Sequence, residues 1–207
     1  MRITSLVILL LLPLLVIAQS EKKMITLWYD KEKKSAEGYV TDTTRHGDWM
    51  LYYLNGNIKA YGSYRQGLKD GYWHFFMENG SKEAEGWYQL GKKNGYWLYY
   101  HETGTPERKG EYLDNRKNGY WVFYYPDSIL KSEGTYINDV QDGWWIGYDT
   151  NGNKYAEGNF NRGKREGWWT LYHNGTISSE GAYENNAATG PWKHYNSQGQ
   201  VIKVTEE

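Results

Sequence analysis

The side chains in this chain best suited to chemistry are carboxylates that recur before glycines. Glu85, Glu133, Glu157 and Glu180 each stand immediately ahead of a glycine. Paired carboxylates can share a metal ion or divide the acid and base roles of glycoside hydrolysis. On alternate strands of a sheet, however, equivalent residues stand roughly 9–10 Å apart, too far to share a calcium ion at ~2.4 Å per ligand. An inverting glycosidase pair reaches about 9 Å, but identical members of a column offer no distinct acid and base. The column is better read as a set of cross-strand pairs with Lys, His or Tyr. The histidines, His46, His74, His101, His173 and His194, show no metal-ligand spacing and occupy different places in the pattern below. No Gly-x-Ser-x-Gly elbow and no phosphate-binding glycine loop ahead of a helix occurs, and the chain has no cysteine. The expectation is a protein without catalytic residues, cofactor or metal: not an enzyme.

What positions these residues is a repeat. The glycine of a Gly-x-Trp motif falls at Gly47, Gly71, Gly95, Gly119, Gly143, Gly167 and Gly190, in steps of 24 and finally 23. The tryptophans follow as Trp49, Trp73, Trp97, Trp121, Trp145, Trp169 and Trp192, and a ring comes three residues later, from Tyr52 to Tyr195. A second glycine runs through Gly38, Gly62, Gly86, Gly110, Gly134, Gly158 and Gly181, with an aromatic two residues beyond it from Gly62 onward. Aromatics make up 17% of the chain, so the core must be built of Trp and Tyr, whose N–H and O–H groups need partners. So regular a period signals a stacked array. It opens with a half-unit at 24–40, continues as the array proper over 47–195, and leaves a turn and tail at 196–207.

Asn55-Gly56, Asn79-Gly80 and Asn151-Gly152 read as two-residue type I′ turns. A two-residue loop at Asn55-Gly56 places Trp49 opposite Gly62 and Gly47 opposite Tyr64. The same arithmetic recurs in later units. Taking Gly67-Leu68, Gly91-Lys92, Asn115-Arg116 and Gly163-Lys164 as the alternate turns, Trp73 also faces Gly62 and Gly71 also faces Tyr64. Two rows then cross the sheet, Trp-Gly-Trp-Gly and Gly-Tyr-Gly-Tyr, with each large ring over bare backbone. Gly62, Gly86, Gly110, Gly134 and Gly158 and the seven motif tryptophans are therefore structural. The fold class is all-β: an elongated, single-layer antiparallel meander of about seven 24-residue hairpins. The last unit is one residue short between Tyr172 and Gly175, so its turn must differ.

Alternation along a strand collects the motif tryptophans, Leu51, Phe75, Tyr99 and the small residues Ala60, Ala84 and Ala156 on one face, the natural core. The other face carries the Glu column and the candidate binding surface: Tyr72, Phe76, Tyr96, Tyr100, Tyr120, Tyr124, Trp144 and Tyr148. Lys69, Lys92, Lys93, Arg116, Lys117, Arg162, Lys164 and Arg165 fall at the second turns and read as a basic stripe along one edge. Charged turns discourage edge pairing; the alternative is contact with lipid headgroups. A formal charge of −1, from 24 basic and 25 acidic residues, argues against nucleic acid as a partner.

The unit Gly-x-Trp-x-x-Tyr-x-x-x-Gly-x-x-x-x-Glu-Gly-x-Tyr resembles the MORN repeat variant of bacterial proteins, some of which carry the label antitoxin. Clear copies stand at Gly71 to Tyr88 and Gly143 to Phe160. The departures are Tyr61 and Lys109 in place of Glu, Asp127-Ser128 at one turn, and the final deletion. The resemblance implies a scaffold or binding role with no catalytic residues.

Met1-Arg2, the apolar run Ile3 to Ile17 and Ala18-Gln19 have the layout of a secretory signal peptide over 1–18. The run of roughly 15 residues is shorter than the ~20 that span a bilayer. The expected protein is exported, to the periplasm, the outer surface or the medium. There it binds a protein partner through its repeated aromatic surface. The alternatives are carbohydrate binding and antitoxin-like neutralisation of a partner. N-terminal sequencing of the exported protein should return Gln19 or its pyroglutamate form; a chain starting at Met1 in the membrane fraction would contradict the cleavage.

Overall fold

The computed structural model describes residues 21–206; the segment 1–18 read as a signal peptide and Glu207 lie outside the described residues. The described chain is one sheet of 16 antiparallel strands whose spatial order is the sequence order. The strands are β1 (Lys22–Trp28), β2 (Lys34–Thr41), β3 (Thr44–Tyr52), β4 (Ile58–Arg65), β5 (Leu68–Phe76), β6 (Lys82–Gln89), β7 (Lys92–Tyr100), β8 (Pro106–Leu113), β9 (Arg116–Tyr124), β10 (Leu130–Ile137), β11 (Val140–Tyr148), β12 (Lys154–Asn161), β13 (Lys164–His173), β14 (Thr176–Glu184), β15 (Ala187–Tyr195) and β16 (Val201–Glu206). From β3 to β15 a Gly-x-Trp strand alternates with a strand that carries the second glycine, preceded by Glu in β6, β10, β12 and β14. In β1, Ile25 takes the place opposite Gly38 that the next unit gives to a tryptophan.

Two kinds of turn alternate, and both differ in detail from the sequence expectation. The first is a three-residue loop, Leu54-Asn55-Gly56. Gly56 N–H donates to the Tyr53 carbonyl at 3.0 Å and Tyr53 N–H to the Asn57 carbonyl at 2.8 Å. Gly56 alone takes a positive φ, +89°, which makes this a type I turn closed by a left-handed glycine, not type I′. The register then slips by one between Leu51↔Ala60 and Tyr52↔Ile58. Loop and slip cancel, so Trp49 still faces Gly62 and Gly47 still faces Tyr64.

The second kind is the type I′ turn, one residue earlier than expected: Gln66-Gly67, Leu90-Gly91, Asp114-Asn115, Asn138-Asp139, Arg162-Gly163 and Asn185-Asn186 all have both residues at positive φ. The following strand compensates with a two-residue bulge. Gly86 pairs with Trp97 and Trp87 with Asn94, so Gly95 and Tyr96 have no partner on β6. Trp97 meets Gly110 on its other side, and the Trp–Gly row exists as expected. The Gly–Tyr row does not: Tyr88 faces Gly71 on one side and Lys93 on the other. The glycine of Gly-x-Trp is a bulge residue, with φ of +67° at Gly95, a conformation that a Cβ disfavours. The one-residue deletion between Tyr172 and Gly175 replaces the three-residue loop there with a two-residue type I′ turn, Asn174-Gly175, between His173 and Thr176.

The core is the row of indoles. Trp49, Trp73, Trp97, Trp121, Trp145, Trp169 and Trp192 are all 5% exposed or less. Each lies flat on the second glycine of the preceding strand: a Cβ at Gly62 would stand 2.5 Å from Trp73 Cδ2. Each indole N–H donates to the carbonyl one residue beyond that glycine, as Trp73 to Ser63 and Trp97 to Trp87, both at 3.0 Å. That carbonyl sits at the register break, where the ladder is interrupted, so the ring occupies the gap and satisfies the backbone group the bulge leaves there. Tyr88 stands edge-on between Trp73 and Trp97, with centroids 6.3 and 5.2 Å away. Phe75 lies nearly parallel to the same two indoles at 5.9 and 6.0 Å. A single layer thereby covers its own core.

A Cβ at Gly110 would stand 2.5 Å from Trp121 Cε2, and the nearest atoms all belong to that ring. Gly110→Val should therefore lose about 3–5 kcal/mol, the scale of losing a buried ring. Lys92→Val, at an exposed strand position, should stay within ~0.5 kcal/mol. Urea titration of both variants checks the difference; equal midpoints would contradict the packing.

Candidate functional site

On the core face, the second residue of each Gly-x-Trp strand is usually a cation, and it reaches over the indole of its own strand. Arg45 lies 4.4 Å from the Trp49 centroid, Lys69 4.6 Å from Trp73, Lys93 4.4 Å from Trp97, Lys117 5.2 Å from Trp121 and Arg165 4.6 Å from Trp169. Contacts of this kind contribute roughly 0.5–2 kcal/mol each, more when desolvated. The basic stripe expected from the sequence is thus two sets. Lys69, Lys93, Lys117 and Arg165 close the core, while Lys92, Arg116, Arg162 and Lys164 remain exposed at the edge. Burial, and then neighbouring cations, hold Lys69, Lys93 and Lys117 below the usual lysine range.

The outward face has two aromatic rows of different character. The first is tied to the Glu column. Tyr100 donates a hydrogen bond to Glu85 and Tyr172 to Glu157; Tyr148 reaches Glu133 at 2.8 Å and Tyr195 reaches Glu180 at 2.5 Å. Lys82 Nζ and His74 Nδ1 also lie 3.2 and 3.0 Å from Glu85. Burial pushes Glu85 and Glu157 up, but the tyrosine and lysine hydrogen bonds outweigh it, and both carboxyls titrate below their usual range. The exceptions to the Glu rule are matched on the partner strand. Where Tyr61 replaces Glu, the opposing ring is Phe76, stacked on it at 5.8 Å and lacking the now useless hydroxyl. Where Lys109 replaces Glu, its amine lies 5.4 Å from the Tyr124 centroid. Four of the sequence candidates, Phe76, Tyr100, Tyr124 and Tyr148, belong to this half-buried row.

The second row is the middle residue of Gly-x-Trp, thrust outward by the bulge. Tyr96 is 44% exposed, Tyr120 55%, Trp144 53% and Trp168 47%. Tyr72 heads the row, edge-on to Trp87 at 5.5 Å, and Trp87 is itself 52% exposed. Neighbouring members stand two strands, about 9–10 Å, apart. None covers a glycine. The sequence reading included Tyr72, Tyr96, Tyr120 and Trp144 but missed Trp168 and Trp87. The motif Gly167-Trp168-Trp169 could have given the former. The latter was also within reach, since the hairpin arithmetic that sets Trp73 opposite Gly86 sets Tyr72 opposite Trp87. Among the described residues, no three His, Asp or Glu converge as a metal site would require.

Three segments match the MORN repeat variant: residues 45–66, 93–114 and 117–138, roughly a third of the chain. Each begins at a ring-covering cation and ends at the first residue of a type I′ turn or beside it. Windows 69–90 and 141–162 hold the same pair of strands. The chain therefore carries MORN-variant repeats. No curated protein matches it. Among solved structures it is similar to one titled "Crystal Structure of TarM", at 15% identity over 80% of this chain and 22% of that chain; at a TM-score of 0.17 the likeness carries no argument.

The titrating groups limit the sheet at both ends of the pH scale. Burial, followed by neighbouring tyrosines, pushes Tyr88 up to about 12. Burial and the bond to Glu157 push Tyr172 up to about 12. A tyrosine whose folded pKa exceeds its unfolded ~10 contributes stability that is complete below pH 10 and is lost between about pH 10 and 12. The depressed lysines have the opposite sign and soften the early part of that loss. At low pH, Glu85 and Glu157, depressed in the folded state, contribute stability that disappears as pH falls below about 4. Thermal melts should be flat from about pH 6 to 9 and fall on both sides. Unchanged melting at pH 12 would contradict the buried tyrosine lattice.

Proposed function

We propose that this array of MORN-variant repeats is a non-catalytic binding scaffold, exported to the cell envelope or beyond, that holds an extended protein partner along its outward aromatic row. The observation that carries the reading is the division of labour between the rings. The motif tryptophans are buried on glycines and the Glu-bound tyrosines are half-buried in hydrogen bonds. Tyr96, Trp144 and Trp168 are about half exposed and cover no glycine, and Tyr120, equally exposed, leans on Glu133 only through its hydroxyl. Exposed Trp and Tyr in a contiguous line are the residue types that dominate protein interfaces. Their even spacing suits a partner that runs along the ribbon and meets successive units. The same flat, evenly spaced rings also favour a second reading, an extended polysaccharide whose sugar faces stack on them.

Photo-crosslinking separates these readings. With p-benzoylphenylalanine at Tyr120 or Trp144, envelope material should yield discrete protein adducts that the same group at exposed Glu102 does not. Trp168→Ser should weaken those adducts, and Trp144→Ser should leave the melting temperature unchanged within the ~0.5 kcal/mol typical of surface sites. Retention on insoluble polysaccharide without protein adducts would move the reading to the glycan. Adducts equal at all three positions would remove the row from function.

A further inference from the structure

One interval in the core lattice lacks the large side chain that its own strand supplies elsewhere, and only the end of the Tyr155 ring lies over it. Between successive indoles the core face normally holds one large apolar side chain: Leu51, Phe75, Tyr99, Phe123 and Leu171 occupy that position in their units. Phe75 shows what it does there, lying nearly parallel to the indoles on both sides. Phe123 repeats this, 6.0 Å from Trp121 and 6.3 Å from Trp145. In the next interval, between Trp145 and Trp169, the residue is Gly147. The same strand also lacks the cation that covers other indoles, since Gln141 stands where Lys69, Lys93 and Lys117 do.

The double loss leaves a cavity of about 150 Å³ bounded by Trp145, Trp169, Tyr155 and Phe160, with Gln141 and Arg165 among its polar walls. That volume is about what one benzene ring needs in a closed apolar cavity; this one is open on one side and its lining is polar as much as apolar. Tyr155, 49% exposed, lies across the Gly147 backbone. It forms a wall and does not stack between the two indoles as Phe75 does between its own pair. Arg165 and the Gln141 amide supply donors for an oxygen carried on a ring.

We propose that the cavity between Trp145 and Trp169 is a binding site for a single benzene-sized aromatic ring, a phenyl or phenol group that fills the interval the chain's own Phe and Tyr residues fill elsewhere. The ring enters parallel to the indoles, and a phenol oxygen accepts from Arg165 or Gln141. The source is either a free small phenol or a tyrosine side chain on a polypeptide. The site lies on the indole face, opposite the outward row, and stands independently of that row's function.

The test follows the indole N–H resonances of the full chain by NMR. p-Cresol represents the free phenol and N-acetyl-L-tyrosinamide the side chain, with N-acetyl-L-leucinamide as the aliphatic control. p-Cresol should shift Trp145 and Trp169 saturably and leave Trp73 in place; a matching response to N-acetyl-L-tyrosinamide assigns the site to a polypeptide ring, and its absence assigns it to a small phenol. Gly147→Phe should abolish the shifts and raise the melting temperature, because the side chain rebuilds the interval. Its Cβ displaces only the outer end of the Tyr155 ring. If that variant folds poorly, Gly147→Leu, with the residue found at positions 51 and 171, blocks the site instead. Tyr120→Ser, on the other face, should leave the shifts intact. No saturable response to p-cresol, an equal response to the leucine control, or full binding in a folded Gly147 variant overturns the proposal.

Discussion

The interaction on which everything else depends is the seating of an indole on a glycine. A sheet of one layer has no second layer to cover its core, so each core ring must be shielded within the sheet. Removing the Cβ from every second strand lowers the floor by the thickness of a methyl group, and the ring settles into the space. Its N–H then reaches the carbonyl that the bulge withdraws from the ladder. One side chain thus covers apolar backbone, removes itself from water and satisfies a buried acceptor. The edge-on tyrosines and the cations overhead enclose what remains. No one of these contacts is strong, but they recur in unit after unit, and stability in such an array accumulates over neighbours.

The bulge links this packing to the functional surface. It exists so that a tight type I′ turn can coexist with the register that places Trp over Gly. Its geometric by-product is a residue pushed out on the opposite face, in every unit, with nothing to do for the core. At that position the chain holds Tyr72, Tyr96, Tyr120, Trp144 and Trp168. Aspartate stands there in the first full unit, as Asp48, where Ser63 donates to it, and proline in the last, as Pro191. The aromatic row therefore occupies the middle of the array and is absent from the outer units.

Much of the fold was legible in the sequence because an exact period makes register errors visible: a slip would displace every tryptophan at once. The Trp–Gly pairing was recovered although both turn types were misassigned. In the first turn a three-residue loop and a one-residue slip cancel, and in the second an early turn and a two-residue bulge cancel. Strand arithmetic sees only the sum. What the sum conceals is the left-handed glycine of Gly-x-Trp, and with it the outward thrust of the next residue. The basic stripe failed for the same reason, since residues assigned to the turn were in fact two positions into the strand. The candidate surface mixed two rows because alternation places Tyr96 and Tyr100 on one face. Only the exposure that the bulge imposes distinguishes a ring that is half-buried from a ring that is available.

The seating of the indoles is one-sided, and this gives the lattice a direction. Trp49 rests on Gly38, Trp73 on Gly62, and so on to Trp192 on Gly181; no motif tryptophan rests on a glycine that comes later in the chain. Wherever the chain emerges N-terminus first, each seat appears before its occupant, and the two are separated by 11 residues throughout. A unit can close as soon as its own tryptophan emerges, using only segments already made. Such short sequence separation favours rapid folding, and an emerging chain exposes at most one unfilled seat at a time. The order of residues along the chain is thereby also an order of assembly.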